Sequence, residues 1–110
     1  MNINILFSGS EGNACRIYNK DVSILIDGGV SKSRLFTCGE FPVQGIFVTH
    51  EHSDHITSVG RIARHTGAEI FIDETVHLRQ VTKNDRFFNG CKVNFINAGG
   101  GVVFTGYNYK

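Results

Sequence analysis

Apolar and polar residues alternate from the start of the chain. Ile3, Ile5 and Phe7 recur at every second position, the period of a half-buried strand. The polar, glycine-punctuated run Ser8-Gly9-Ser10-Glu11-Gly12-Asn13 then reads as a loop. Two further strands are expected over 14–18 and 22–26, and the turn residues Asn19-Lys20-Asp21 between them predict a hairpin. Asp27-Gly28-Gly29 closes the second of these strands, and a short helix is expected over 32–36. The run 45–49, centred on Ile46-Phe47-Val48, suits a buried strand. Ile56, Val59, Ile62 and Ala63 repeat at helical spacing until Gly67 marks a stop. A strand over 69–73 and a helix over 75–82, capped by Thr75, follow. Asn89-Gly90, between Phe87-Phe88 and Val93-Asn94-Phe95-Ile96, predicts a hairpin turn, and Val102-Val103-Phe104 a last strand. Strands first, then alternating strands and helices, then strands again point to a layered α/β sheet.

Composition narrows the class. The 110 residues fit one small domain, 1–110, and 41% hydrophobic against 19% charged residues is a globular balance that argues against disorder. A formal net charge of +1 carries no signature of a nucleic-acid or membrane surface, although a local patch fits within a neutral total. Lys32, Arg34, Arg61 and Arg64 are scattered and read as a solvated face. No apolar run is long enough for a transmembrane helix, and Met1-Asn2-Ile3-Asn4 does not open a secretory signal, so a cytoplasmic setting without membrane contact is expected. Cys15, Cys38 and Cys91 are odd in number and widely spaced, which predicts reduced, partly buried thiols.

The candidate chemistry lies in Thr49-His50-Glu51-His52-Ser53-Asp54-His55, between a predicted buried strand and an amphipathic helix. Imidazole nitrogen and carboxylate oxygen are good donors for zinc and similar divalent ions. His50 and His52 are two residues apart, so an extended turn lets both side chains point the same way. Asp54 and His55 stand at the start of the helix, whose positive end favours the carboxylate. The natural reading is two metal sites side by side with water between them. Such a pair lowers the pKa of a bridging water and clamps an in-line displacement, with metals about 3.5–4 Å apart. His65 and His77 stand alone on predicted helices and read as surface residues.

His50-x-His52-x-Asp54-His55 resembles the metal-binding motif of the metallo-β-lactamase-fold hydrolase superfamily. That resemblance implies an α/β fold: the amino-terminal half of an αββα sandwich, a mixed sheet with helices on one face. It implies that His50 and His52 hold one metal and that Asp54 and His55 hold a second. Asp54 would also orient the attacking hydroxide as the catalytic carboxylate. Ile24-Leu25-Ile26-Asp27-Gly28-Gly29 is similar to the superfamily's early strand ending in an aspartate, which makes Asp27 a buttress of the metal loop rather than a ligand. Ser8-Gly9-Ser10-Glu11-Gly12-Asn13 resembles a loop of the branch containing WalJ/YycJ-type proteins, several of which are nucleases or phosphodiesterases. That loop reads either as a structural turn near the metal mouth or as a nest of backbone N–H groups that meets a phosphate.

The superfamily draws further ligands from later in its sequence: histidines and a bridging aspartate. Here no histidine follows His77 and the only later acid is Asp85. Two protein ligands per metal fall short of the usual three, so the expectation is a site that this chain supplies in part, completed by self-association or a second chain. Three functions stay open. The first is a metal-dependent phosphodiester hydrolase acting on nucleic acid or nucleotide, with zinc, or manganese, in up to two positions. The second is a non-catalytic half-domain serving as an interaction or regulatory module. The third is a hydrolase of another ester, thioester or lactam.

Overall fold

The computed structural model describes residues 2–7, 14–28, 31–37, 39–48, 53–83 and 88–96. Nine elements occur in these segments: β1 (Asn2–Phe7), β2 (Ala14–Tyr18), β3 (Ser23–Gly28), α1 (Lys32–Leu35), β4 (Gly45–Phe47), α2 (Ser53–Thr66), β5 (Glu69–Ile72), α3 (Glu74–Lys83) and β6 (Val93–Phe95). The strands form one mixed sheet in chain order, with β1, β2 and β3 antiparallel and β3 to β6 parallel. The loop expected over 8–13 and the strand expected over 102–104 lie outside the described residues; the strands expected over 2–7, 14–18, 22–26, 45–49 and 69–73 are present as β1 to β5.

Because the parallel strands advance in one direction, right-handed crossovers place α1, α2 and α3 on the same face. Packing agrees. Leu25, Ile46, Ile70 and Ile72 from the sheet are buried with Leu35 of α1 and with Val59, Ile62 and Ala63 of α2, while Val76 of α3 joins the rim of the same cluster. The spacing of Val59, Ile62 and Ala63 is the i, i+3, i+4 stripe of a helix laid on a sheet. The opposite face carries an apolar band read straight across the register: Ile3, Ile17 and Ile24 in one row, Ile5, Cys15, Ile26, Phe47 and Phe71 in the next. The band is wettest at its β1 end, where Ile3 and Ile5 are 70% and 69% exposed.

Local chemistry sets the element ends. The Asn19 side chain accepts hydrogen bonds from the backbone N–H of Asp21 and Val22, both 2.8 Å, and closes the β2–β3 hairpin as expected. Gly67 ends α2 in the left-handed region, φ 78°, with its N–H on the Ala63 carbonyl at 2.8 Å. Three expectations are corrected. α3 is capped by Asp73, not Thr75: the Asp73 carboxylate accepts from the N–H of Thr75 and Val76 at 2.8 and 3.3 Å. An acceptor one step outside the first turn, and charged, suits the orphan N–H groups better than a hydroxyl inside it. Asn89-Gly90 does form a turn, with Gly90 at φ 75° and the Cys91 N–H on the Phe88 carbonyl, yet it is not a hairpin. β6 pairs in parallel with β5, so the turn finishes a β5–α3–β6 crossover. His77 is half-buried rather than a surface residue, stacked on Phe88 at 5.2 Å and edge-on to Phe95 at 5.1 Å. His65 is exposed as expected and meets Glu40 at 2.6 Å. Cys15 and Cys91 are free and half-buried; Cys38 lies outside the described residues.

Candidate metal centre

Parallel strands end on one edge of a sheet, and loops beyond that edge are where open α/β sheets place their sites. Here Ile26, Phe47 and Phe71 stand in register on β3, β4 and β5, and the Val48 N–H extends the ladder to the Phe71 carbonyl at 2.9 Å. One residue beyond Ile26 is Asp27, and immediately beyond Val48 the chain passes through Thr49-His50-Glu51-His52 into Ser53, the first residue of α2. The topology therefore brings Asp27 to the same edge as Val48, the residue after which the histidine-rich segment begins in the sequence.

His50 and His52 lie outside the described residues. Asp54 and His55 are placed in the first turn of α2, with their side chains outside the description. Among the described residues no group of three or more His, Cys, Asp or Glu converges as a metal site. What the structure does show is the frame on either side. Ile46 and Val48 bury the strand that delivers the segment, and Val59, Ile62 and Ala63 bury the helix that receives it. A site hung between two packed elements keeps its geometry better than one on a free loop. The donor set fits a divalent ion: three imidazoles and a carboxylate are borderline ligands suited to zinc, and acceptable to manganese.

Asp27 is the position where sequence reasoning saw the least of what matters. It was expected to follow β3 but lies within it. Ala14 pairs with Gly28 and Cys15 with Ile26, so Asp27 is the extra residue of a β-bulge. Its φ of 57° makes it the one non-glycine residue with positive φ among those described. That conformation costs about 1–2 kcal/mol for a residue with a Cβ, though aspartate tolerates it better than most. Bulges re-aim side chains, and strain of this kind is kept where the surroundings over-determine it. The detectable signal was Asp-Gly-Gly at a strand end, which marks a break in the ladder without saying which residue bulges. Lys32, Arg34, Arg61 and Arg64 are exposed, in keeping with a solvated face, and Arg64 is tied to the Asn89 carbonyl at 2.8 Å.

The sequence profile of the metallo-beta-lactamase superfamily matches residues 9–83, more than half of the chain. The chain belongs to the metallo-beta-lactamase superfamily. The matched stretch runs from β2 through α3 and so contains both Asp27 and the histidine-rich segment. The mixed sheet with helices on one face is a half-domain of that superfamily's sandwich, as expected. Members of the superfamily are generally metal-dependent. The chain is 36% identical over 80 residues to exodeoxyribonuclease YycJ of Bacillus anthracis, covering 67% of this chain and 30% of that protein. It is 38% identical over 76 residues to exodeoxyribonuclease WalJ of Streptococcus pneumoniae, covering 64% and 28%. It is 33% identical over 99 residues to the UPF0173 metal-dependent hydrolase mll0680 of Mesorhizobium japonicum, covering 86% and 41%. The chain thus spans less than half the length of these curated relatives.

Proposed function

We propose that the chain supplies part of a dinuclear metal-dependent hydrolase that cleaves phosphodiester bonds of nucleic acid. The observation that carries this reading is positional. In sequence the superfamily's His-x-His-x-Asp-His motif follows Val48 and runs into the first turn of α2, and Val48 and the bulged Asp27 lie at the same end of neighbouring parallel strands. The exodeoxyribonucleases among the relatives that the chain resembles favour nucleic acid over other esters, thioesters and lactams.

In this reading His50 and His52 hold one cation, and Asp54 with His55 holds the other; zinc suits the imidazoles best and manganese is acceptable. When bound, the cations supply a water of lowered pKa and positive charge for the phosphoryl oxygens. Asp54 orients the attacking hydroxide. Asp27 acts on the loop from outside the ligand set, its carboxylate fixing the orientation of a ligand through hydrogen bonding. Further donors, from a second copy or another polypeptide segment, complete each shell.

The test is hydrolysis of bis-p-nitrophenyl phosphate and of an end-labelled DNA oligonucleotide. We expect turnover that chelator removes and zinc or manganese restores, and a drop of at least 100-fold in His52→Ala and Asp54→Ala. Turnover that survives Asp54→Ala overturns its role, and turnover indifferent to chelator overturns the metal reading.

A further inference from the structure

On the helix-bearing side of the sheet, the described helices cover β3 to β5 but leave a shelf over β1 and β2. Asn4 and Arg16 are directly opposite one another there, and so are Asn2 and Tyr18. Arg16 is held on three sides. Its Nε donates to Ser23 Oγ at 2.8 Å, and its guanidinium carbon lies 4.0 Å from the Tyr18 ring centroid and 4.4 Å from that of Phe41. Ser23 is itself wholly buried, and its N–H is anchored on Gln44 Oε1 at 2.8 Å. A guanidinium clamped between two rings has already lost its rotamer freedom, so little more is lost when it binds a ligand. With Nε committed to Ser23, the edge carrying both Nη atoms is the remaining fork, and among the described residues it meets no acceptor. That edge matches two oxygens of a phosphate.

The surroundings suit an anion. Asn2 and Asn4 are exposed amides on the same surface, able to donate. Glu40, next to Phe41, is engaged by His65 at 2.6 Å, and Lys20 and Asp21 in the adjoining turn offset one another. We propose that this shelf is an ancillary site for a nucleic-acid strand, with Arg16 gripping a backbone phosphate away from the metal loop. The inference rests on the nucleic-acid reading above. Arg16 is held at the level of Ser23, four residues along β3 from Asp27. That is about 13 Å at the rise of a strand, so a substrate must extend several nucleotides to touch both places. Arg16 is a binding residue here and has no part in the chemical step.

The experiment measures fluorescence anisotropy of a labelled single-stranded 12-mer in chelator, across a salt series, alongside bis-p-nitrophenyl phosphate turnover with metal. The proteins are wild type, Arg16→Lys, and Asn4→Asp, which sets a negative charge opposite Arg16 while leaving the ring stack in place. Expected are a loss of about fivefold or more in oligonucleotide affinity for both variants, a salt slope shallower by roughly one phosphate contact for Arg16→Lys, and small-substrate turnover within twofold of wild type. Should Arg16→Lys fail to fold by circular dichroism, Asn4→Asp decides. Oligonucleotide affinity unchanged in the folded variants overturns the shelf, as does a wild type that binds inorganic phosphate but no oligonucleotide. Turnover without oligonucleotide binding sinks the shelf and spares the hydrolase; Arg16-dependent binding without turnover supports the shelf and overturns completion of the metal site by a second copy of this chain.

Discussion

Truncating Ile62 to alanine takes three carbons from a side chain with no exposed surface. Ile62 sits midway along α2, between Val59 and Ala63 on the stripe that lies on β3, β4 and β5. Returning three buried carbons' worth of apolar surface to the unfolded reference costs roughly 2.4 kcal/mol at about 0.8 kcal/mol each. The hole left against Leu25, Ile46 and Ile70 adds to this, since a sheet and a helix relax only partly into a void, so about 3–4 kcal/mol is expected. The control is Ile3→Ala on the other face. Ile3 is 70% exposed, so most of its surface never left water, and the loss should stay below about 1 kcal/mol. Urea unfolding followed by circular dichroism reads both, with equal m-values licensing the comparison. An Ile62→Ala loss under 1 kcal/mol, or an Ile3→Ala loss equal to it, refutes the assignment of the core to the helix-bearing face. A 3–4 kcal/mol loss is also a large part of the about 5–15 kcal/mol typical of a domain, so hydrolysis by this variant should fall with its folded fraction on warming.

Three further outcomes are expected. Gly67→Ala should cost about 1 kcal/mol in the same urea assay, because φ 78° penalises a Cβ that otherwise meets nothing within 4 Å; a neutral substitution would mean that the left-handed cap is not formed. Burial holds the Cys91 thiol above its ordinary pKa, with Arg64 pulling partly the other way through its charge and its hydrogen bond to the sulfur. The folded chain therefore keeps this proton at pH values where the unfolded chain releases it, so its effect on stability is nil below the thiol range and turns unfavourable as pH rises through it. Mass-resolved alkylation at pH 8 should label Cys91 more slowly than in urea, and equal rates would contradict the burial. Asp27→Asn should lower phosphodiester turnover at least tenfold while shifting Tm little, since asparagine also tolerates a positive φ; turnover within twofold of wild type would remove Asp27 from the site.

Much of the fold could be read from the chain because its elements obey short-range rules. The alternation of Ile3, Ile5 and Phe7, the Asn19 turn and the 59/62/63 stripe each reflect forces acting within a few residues, and β2, α1 and α2 appear where those forces put them. The failures are cases where distant partners decide. Asn89-Gly90 is a hairpin signal only if a strand precedes it, and pairing of β6 with β5 made it the end of a crossover instead. His77 looked solitary in sequence because the rings of Phe88 and Phe95 reach it only through that crossover. Asp73 displaced Thr75 as a cap because β5 stops at Ile72, one residue short of the expected 69–73, which leaves Asp73 outside the strand to cap the next helix. The candidate site divides in the same way. The His-x-His-x-Asp-His spacing is written in consecutive residues, whereas the bulge that aims Asp27 depends on how β2 pairs with β3.

Metal content tests the central claim most directly. Purified protein, stripped with chelator and titrated calorimetrically with zinc and with manganese, should bind metal. Paired replacement of His50 and His52 by alanine should abolish or weaken that binding at least 100-fold while leaving the far-ultraviolet circular dichroism unchanged. Metal bound equally well by both proteins, or by neither, would contradict a metal centre at the end of β4.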